Sequence, residues 1–199
     1  NVSGRLNHFY FDLNRDMLAL SQIESKTAAA AFREWRPQVV ADHHGETPSY
    51  FFPPAALPIN RNLPRDDYVR WLDLFGRGNS EAFDRYGWMY FVRDTFDVFY
   101  PGYWDSWPSL HGATGMTYET EGGGKRGLRE RRDDETEITL RESIAMHVTA
   151  SLATLETAAQ HRVRRLQDYR QFFVDALREG AAGPIRRFIF PPAVDAARL

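Results

Sequence analysis

A short apolar run at residues 39–41, Val-Val-Ala, constrains the fold of this chain more than any other segment. It follows a helix-type pattern that Pro37 ends, and it leads into the polar sequence Asp-His-His-Gly-Glu at residues 42–46. A helix, a buried strand and then polar residues form an α/β pattern. Ligands of open α/β sheets bind at this end of the strands. The sequence therefore predicts an α/β fold with a site near residue 42.

Two helix starts are marked by capping-box spacing, in which a hydroxyl residue is followed three positions later by a carboxylate. Ser21 and Glu24 predict a helix that runs to about Trp35, and Thr139 and Glu142 predict a second helix. An apolar stripe at helical spacing predicts the buried face of the second helix. The stripe consists of Ile144, Val148, Leu152 and Leu155.

The other segments are assigned from β-prone runs and turn residues. Strands are predicted at residues 8–12, 88–92, 113–119 and 187–190. Helices are predicted at residues 65–76 and 79–86, separated by Gly76 and Gly78. Irregular structure is predicted for the proline-rich segment 48–64, the aromatic loop 100–111 and the highly charged, solvated segment 125–137.

Composition excludes several classes of function. The 199 residues carry a net charge of −2, so there is no basic excess to neutralise phosphates and no nucleic-acid partner is expected. No apolar run approaches the roughly 20 residues of a membrane helix, so no membrane partner is expected. Cysteine is absent, which leaves histidine and carboxylates as the ligands for zinc.

Residues 42–46 supply such ligands, with His43 and His44 between two carboxylates. The structural alternative is that both histidines end a strand and hydrogen-bond to the backbone. A second group is Asn14-Arg15, whose guanidinium and amide can bind a carboxylate or join a surface ion pair.

A third group, Thr117-Tyr118-Glu119, ends a predicted strand, and a partly buried glutamate there can act as a general base. Glu121 competes for that role. The aromatic loop around residues 100–108 can line a ligand site, stack on a sugar, or simply pack as a satellite cluster.

In order along the chain, these groups resemble the zinc carboxypeptidase family, the carboxypeptidase A-like metallopeptidases, and especially its bacterial branch. The resemblance covers roughly residues 8–160. It rests on Phe-Asp-Leu-Asn-Arg-Asp at 11–16, Val-Val-Ala-Asp-His-His-Gly-Glu at 39–46 and Gly-Met-Thr-Tyr-Glu at 115–119. The segments Tyr-Phe-Phe-Pro-Pro at 50–54 and Phe-Tyr-Pro-Gly-Tyr-Trp-Asp-Ser-Trp-Pro-Ser at 99–109 are similar to that branch as well.

The resemblance implies a role for each matching residue. His44 matches a zinc ligand, whereas His43 takes a variable position. Asn14 and Arg15 match the pair that binds the C-terminal carboxylate of a peptide substrate. Glu119 matches the residue that activates the zinc-bound water.

The family also places a mobile tyrosine over the substrate, and Tyr103 is assigned to it, with Tyr100 as the alternative. Its other two zinc ligands come from a His-x-x-Glu motif upstream of the Asn-Arg pair. The 13 residues before Asn14 contain no such motif. One histidine cannot hold catalytic zinc, which takes three protein ligands. The chain is therefore expected to be the C-terminal part of a catalytic domain, inactive alone.

Three hypotheses stay open: part of a zinc metallocarboxypeptidase, a non-catalytic peptide- or carboxylate-binding domain on the same scaffold, or a carbohydrate-binding or carbohydrate-cleaving domain. The last would use Glu119 and Asp105 as its carboxylate pair.

For the fold we expect a three-layer α/β/α sandwich with a mixed, mainly buried sheet, incomplete on its N-terminal side. Residues 1–180 form the catalytic portion, and residues 181–199 form a linker and the start of a further region. An unpaired sheet edge favours a homodimer. Family resemblance implies an exported, secreted or periplasmic protein.

Overall fold

The computed structural model describes residues 5–121, 128–132, 134–185 and 187–189. Strands of the described residues are β1 (Val39–His44), β2 (Tyr50–Phe51), β3 (Tyr90–Phe91), β4 (Thr114–Glu119), β5 (Arg129–Arg131) and β6 (Glu137–Thr139). The helices are α1 (Ile23–Trp35), α2 (Arg65–Asp84), α3 (Ser106–Ser109), α4 (Leu140–Gln160) and α5 (Arg162–Ala182). A 3-10 turn spans Leu13–Arg15.

The main sheet has the strand order β1-β4-β2-β3 and is mixed. β1 runs parallel to β4, β2 runs antiparallel to β4, and β3 runs parallel to β2. β5 and β6 form a separate antiparallel hairpin. Within the described sheet β1 has one neighbour, β4, so it is an edge strand. The homodimer expected from pairing of two chains through such an edge stays a prediction.

Successive side chains of a strand point to opposite faces of the sheet, which divides the core between the two faces. Val39, Met116 and Tyr118 face one side, where they pack in a large cluster with residues of α2 and α4. Val40 faces the other side and packs with Phe32 of α1 and other members of a smaller cluster. Helices therefore cover both faces of a mixed sheet, which confirms the predicted α/β class.

The N-terminal strand predicted at residues 8–12 is wrong. Residues 8–10 form a turn in which Tyr10 adopts a positive φ of 64°, and Asp12 makes only an isolated bridge to Leu6. Asn7 holds this turn, because its side-chain oxygen accepts hydrogen bonds from the backbone N–H groups of Phe9 and Phe11. An asparagine can replace strand hydrogen bonds in this way.

Helix α1 confirms the predicted helix but not its capping box. Gln22 is the N-cap and its side chain makes no cap hydrogen bond. Instead, the Asp16 carboxylate accepts from the N–H groups of Ser21 and Gln22 and from the Ser21 hydroxyl. The charged carboxylate of Asp16 is the stronger acceptor for these donors.

Helix α2 is continuous where two helices were predicted. A Cβ at Gly76 would clash with the Pro53 carbonyl oxygen, and one at Gly78 would clash with the Thr157 hydroxyl of α4. Both glycines therefore mark close packing rather than a break. The segment 48–64, predicted to be irregular, contains strand β2.

Helix α4 has the predicted capping box, in which Thr139 and Glu142 bond to each other's backbone N–H groups. Its predicted apolar stripe is exposed, however: Ile144, Val148, Leu152 and Leu155 are 53–65% accessible. The buried residues are smaller or polar, namely Ser143, Met146, Ala150, Ala153, Thr154 and Thr157. Small side chains allow α4 to approach α2 closely, which decides the buried face.

The remaining predictions are adjusted locally. The strand predicted at 88–92 is limited to β3, and the aromatic loop contains the one-turn helix α3. The charged segment contains β5 and the first residue of β6, and its residues 125–127 and 133 lie outside the described residues. Residues 187–189 are not a strand, and residue 190 lies outside the described residues. No described helix has the length and hydrophobicity required to cross a bilayer.

Candidate functional site

The parallel pairing of β1 with β4 places two predicted site residues side by side. His44 and Glu119 are register partners and are the last residues of their strands. Carboxyl ends of parallel strands meet at one edge of the sheet. Both residues also share the sheet face of Val40, opposite the large core cluster.

A cleft of about 220 Å³ lies at this edge of the sheet. All five predicted site residues line it: Asn14, Arg15, His44, Tyr103 and Glu119. They come from the 3-10 turn, the end of β1, the aromatic loop and the end of β4. Residues up to 105 positions apart in sequence are therefore brought to one place.

Glu119 is the best-defined titratable group of the cleft. It is 3% exposed, its strand partner on β2 is Phe51, and one carboxylate oxygen accepts from the Glu46 N–H at 2.6 Å. Burial raises the pKa of Glu119 to about 7, although the Glu46 hydrogen bond and the His44 charge act in the opposite direction. A carboxyl group with this pKa can accept a proton near neutral pH.

His44 forms an ion pair inside the cleft. Its Nε2 lies 2.6 Å from an Asp42 carboxylate oxygen, and this contact is the main cause of the raised pKa of His44. The Asn14 side-chain amide nitrogen contacts both groups, at 3.1 Å from the imidazole nitrogen and 3.4 Å from the carboxylate. The Asn14 side-chain oxygen Oδ1 accepts from the Trp104 N–H at 2.7 Å, so Asn14 joins the strand end to the aromatic loop.

Arg15 presents its charge at the mouth of the cleft. Its side chain is 47% accessible, and its guanidinium lies 4.5 Å from the centre of the Tyr103 ring. One of its N–H groups donates to the backbone carbonyl oxygen of Asn14. Tyr100 instead donates its hydroxyl to the Arg15 carbonyl oxygen. Of the two tyrosines, Tyr103 lines the cleft.

Arg5 is a cleft residue that sequence analysis missed. Its side chain forms ion pairs with Asp12 at 2.9 Å and with Glu46 at 3.6 Å, so it adds a second cation to the cleft. An isolated arginine near the chain start carries no local signal. Only the tertiary structure brings it to the cleft.

Asp105, the carboxylate that the carbohydrate hypothesis pairs with Glu119, also lines this cleft. It is 3% exposed and accepts from the hydroxyls of Thr117 and Ser106, both at 2.9 Å. Burial raises the pKa of Asp105 to about 6. Glu121 lies beyond the end of β4, where its carbonyl accepts from the Ser143 hydroxyl.

The zinc implied by the family resemblance does not fit the residues present. Among the described residues, no group of three histidine, aspartate or glutamate side chains is arranged to hold a metal ion. His44 is the one predicted ligand, and its Nε2 is engaged by Asp42 and Asn14. A catalytic zinc site needs three protein ligands, so the described residues do not form one.

The mixed sheet with helices on both faces is a carboxypeptidase-like α/β fold. Among solved structures, the chain is similar to the metallo-carboxypeptidase from Burkholderia cenocepacia, with 16% sequence identity and a TM-score of 0.57. The similarity covers 78% of this chain and 40% of that protein, so this chain spans less than half of that protein's length. No protein-family model and no curated protein matches the chain. At this identity the similarity shows the fold alone.

Proposed function

We propose that this chain is the substrate-carboxylate and general-base portion of a carboxypeptidase-like peptidase. The observation that carries the proposal is the single cleft in which Arg15 and Glu119 lie together at the carboxyl ends of two parallel strands. A guanidinium at the mouth can bind the free C-terminal carboxylate of a peptide. The buried glutamate within can take a proton from a water molecule near the last peptide bond.

Charge supports a C-terminal carboxylate as the recognised group. Arg5 and Arg15 both line the cleft, and their guanidinium groups are the fixed positive charges there. Arg15 lies over the Tyr103 ring, and its ion pair with Asp12 is long at 4.0 Å and solvent-exposed on the Arg15 side, so the guanidinium can still bind a further carboxylate. Asn14 is engaged with Asp42 and His44, so we assign it to holding the cleft together in the free protein.

Hydrolysis by the chain alone is not part of the proposal. Because the described residues do not complete a metal site, the isolated chain is expected to bind peptides by their C-terminal carboxylate without cleaving them. Turnover would require further ligands that these residues do not supply. Binding and turnover therefore need separate measurements.

The test compares two forms of one short fluorescent peptide, with a free or an amidated C-terminus, by anisotropy. The free acid is expected to bind at least about tenfold more tightly, since a charge-assisted hydrogen bond contributes about 1.5–3 kcal/mol. Arg15→Gln should remove this preference, whereas Arg85→Gln, at the exposed end of α2, should keep it. Equal binding of acid and amide would refute the proposal, and binding of oligosaccharides instead would favour the carbohydrate hypothesis.

A further inference from the structure

A second histidine cluster lies on the opposite face of the sheet from the cleft. His43 of β1 and His147 of α4 face each other, with their Nδ1 atoms 3.0 Å apart. The Tyr50 hydroxyl oxygen of β2 lies 2.9 Å from the same nitrogen of His147. Two imidazole nitrogens and one hydroxyl oxygen, from three different elements, therefore lie close together.

The protons available do not satisfy this arrangement. His147 Nε2 lies 3.1 Å from the His44 carbonyl oxygen and must donate to it, so His147 Nδ1 carries a lone pair. The Ser151 hydroxyl has one hydrogen and two neighbours, the His147 carbonyl at 2.8 Å and His43 Nε2 at 3.1 Å. The tautomer of His43 depends on which of these two neighbours accepts the Ser151 hydrogen.

Each choice leaves one contact unsatisfied. If Ser151 donates to the carbonyl, His43 must donate from Nε2, and its Nδ1 lone pair then faces that of His147. If Ser151 donates to His43 instead, the carbonyl contact is lost, and the N–H of His43 and the O–H of Tyr50 compete for one lone pair of His147. A cation held by the two imidazoles would take up both Nδ1 lone pairs and leave the Ser151 hydrogen bond to the His147 carbonyl in place.

We propose that His43 and His147, together with water ligands, form a binding site for a divalent transition-metal ion of the Cu²⁺ or Ni²⁺ type, which favours right-angle geometry. Two imidazole nitrogens that bind one ion at right angles, each at about 2.1 Å, are about 3.0 Å apart, which matches the separation of the Nδ1 atoms. The two rings are nearly perpendicular, with an interplanar angle of 86°. Imidazole ligands suit these ions, and Cu²⁺ binds most tightly among them.

The outer contacts of the two rings match those of metal-bound histidines. Such a histidine almost always donates its other ring N–H to an oxygen, which sets its tautomer and orientation. Here His147 donates to the His44 carbonyl and His43 donates to the Ser151 hydroxyl, whose hydrogen then goes to the His147 carbonyl. Metal binding thus requires no rearrangement of these contacts.

Access and rigidity also suit a metal ion. His43 is exposed, so an ion and its water ligands can enter from solvent. Tyr50 is fully buried and its ring lies 5.2 Å from that of His147, so the inner side of the site is held by the core. The site is separate from the cleft because neighbouring residues of a strand point to opposite faces.

The proposal is tested by titrating the chain with Cu²⁺ near neutral pH, with bound metal measured by equilibrium dialysis and its ligands by electron paramagnetic resonance. One ion per chain with hyperfine coupling to two nitrogens is expected. His43→Ala and His147→Ala should each weaken binding at least about tenfold, since loss of even an outer-shell partner of a ligand costs about 10–100-fold in metal affinity. His8→Ala removes an exposed histidine elsewhere and should leave the affinity unchanged.

His44→Ala separates this site from the cleft, because it should keep the two-nitrogen signal. The side chain of His43 is exposed, so His43→Ala is expected to fold normally, which circular dichroism verifies. Unchanged copper binding in His43→Ala would overturn the proposal. Absence of copper uptake by the wild-type chain, with the two imidazoles joined by a shared proton only, would overturn it equally.

Discussion

Replacing Glu119 by glutamine is expected to stabilise the protein in alkaline solution and to leave its stability nearly unchanged in acid. The carboxyl group is 3% exposed, and burial raises its pKa from 4.5 to about 7. Between these two pH values the native state keeps a proton that the unfolded chain has lost. The unfolding free energy of the wild type therefore falls as pH rises through this interval.

The difference between the two pKa values sets the size of the effect. Each pKa unit corresponds to about 1.4 kcal/mol, so the ionised carboxylate costs about 3 kcal/mol above pH 7. Glutamine carries no charge, yet its side-chain oxygen can still accept the Glu46 N–H. Glu119→Gln should therefore be about 3 kcal/mol more stable than the wild type at pH 9 and about equal to it at pH 4.

Urea denaturation of both proteins at several pH values between 4 and 9 measures this difference. Subtracting the two curves cancels the titration of groups common to both proteins. Glu156→Gln, on α4, is the control and should show no such dependence on pH. If the difference in unfolding free energy does not change with pH, or if the glutamine variant is less stable than the wild type at pH 9, burial does not raise the pKa of Glu119 in this way.

Two further predictions concern helix packing and capping. Gly76→Ala should destabilise the chain by about 1–3 kcal/mol in urea denaturation, because the new Cβ clashes with the Pro53 carbonyl oxygen. Gly180→Ala, where nothing lies within 4 Å of the new Cβ, should instead be neutral or stabilising by up to about 1 kcal/mol. Thr139→Ala should lower the unfolding free energy by about 1 kcal/mol through loss of the α4 cap, while Thr139→Ser should keep most of the stabilisation that the cap provides. Equal melting temperatures for Gly76→Ala and Gly180→Ala, or for the two Thr139 variants, would contradict these assignments.

Much of the cleft could be predicted from sequence because its residues end predictable strands. The apolar run before His44 and the β-prone run before Glu119 mark β1 and β4 without tertiary information. Arg5 could not be predicted, since its place in the cleft depends on ion pairs with Asp12 and Glu46. The partners of Asn14 are likewise set by the approach of the aromatic loop to the end of β1.

Local sequence determined the elements whose signals are local: the α/β alternation, the strands β1 and β4 and the Thr139–Glu142 cap. Tertiary packing decided the rest. The apolar stripe of α4 is exposed because small side chains on the opposite face allow closer contact with α2. In the same way, the adjacent histidines 43 and 44 belong to two different sites, since the pleat of β1 turns one toward α4 and the other toward the cleft.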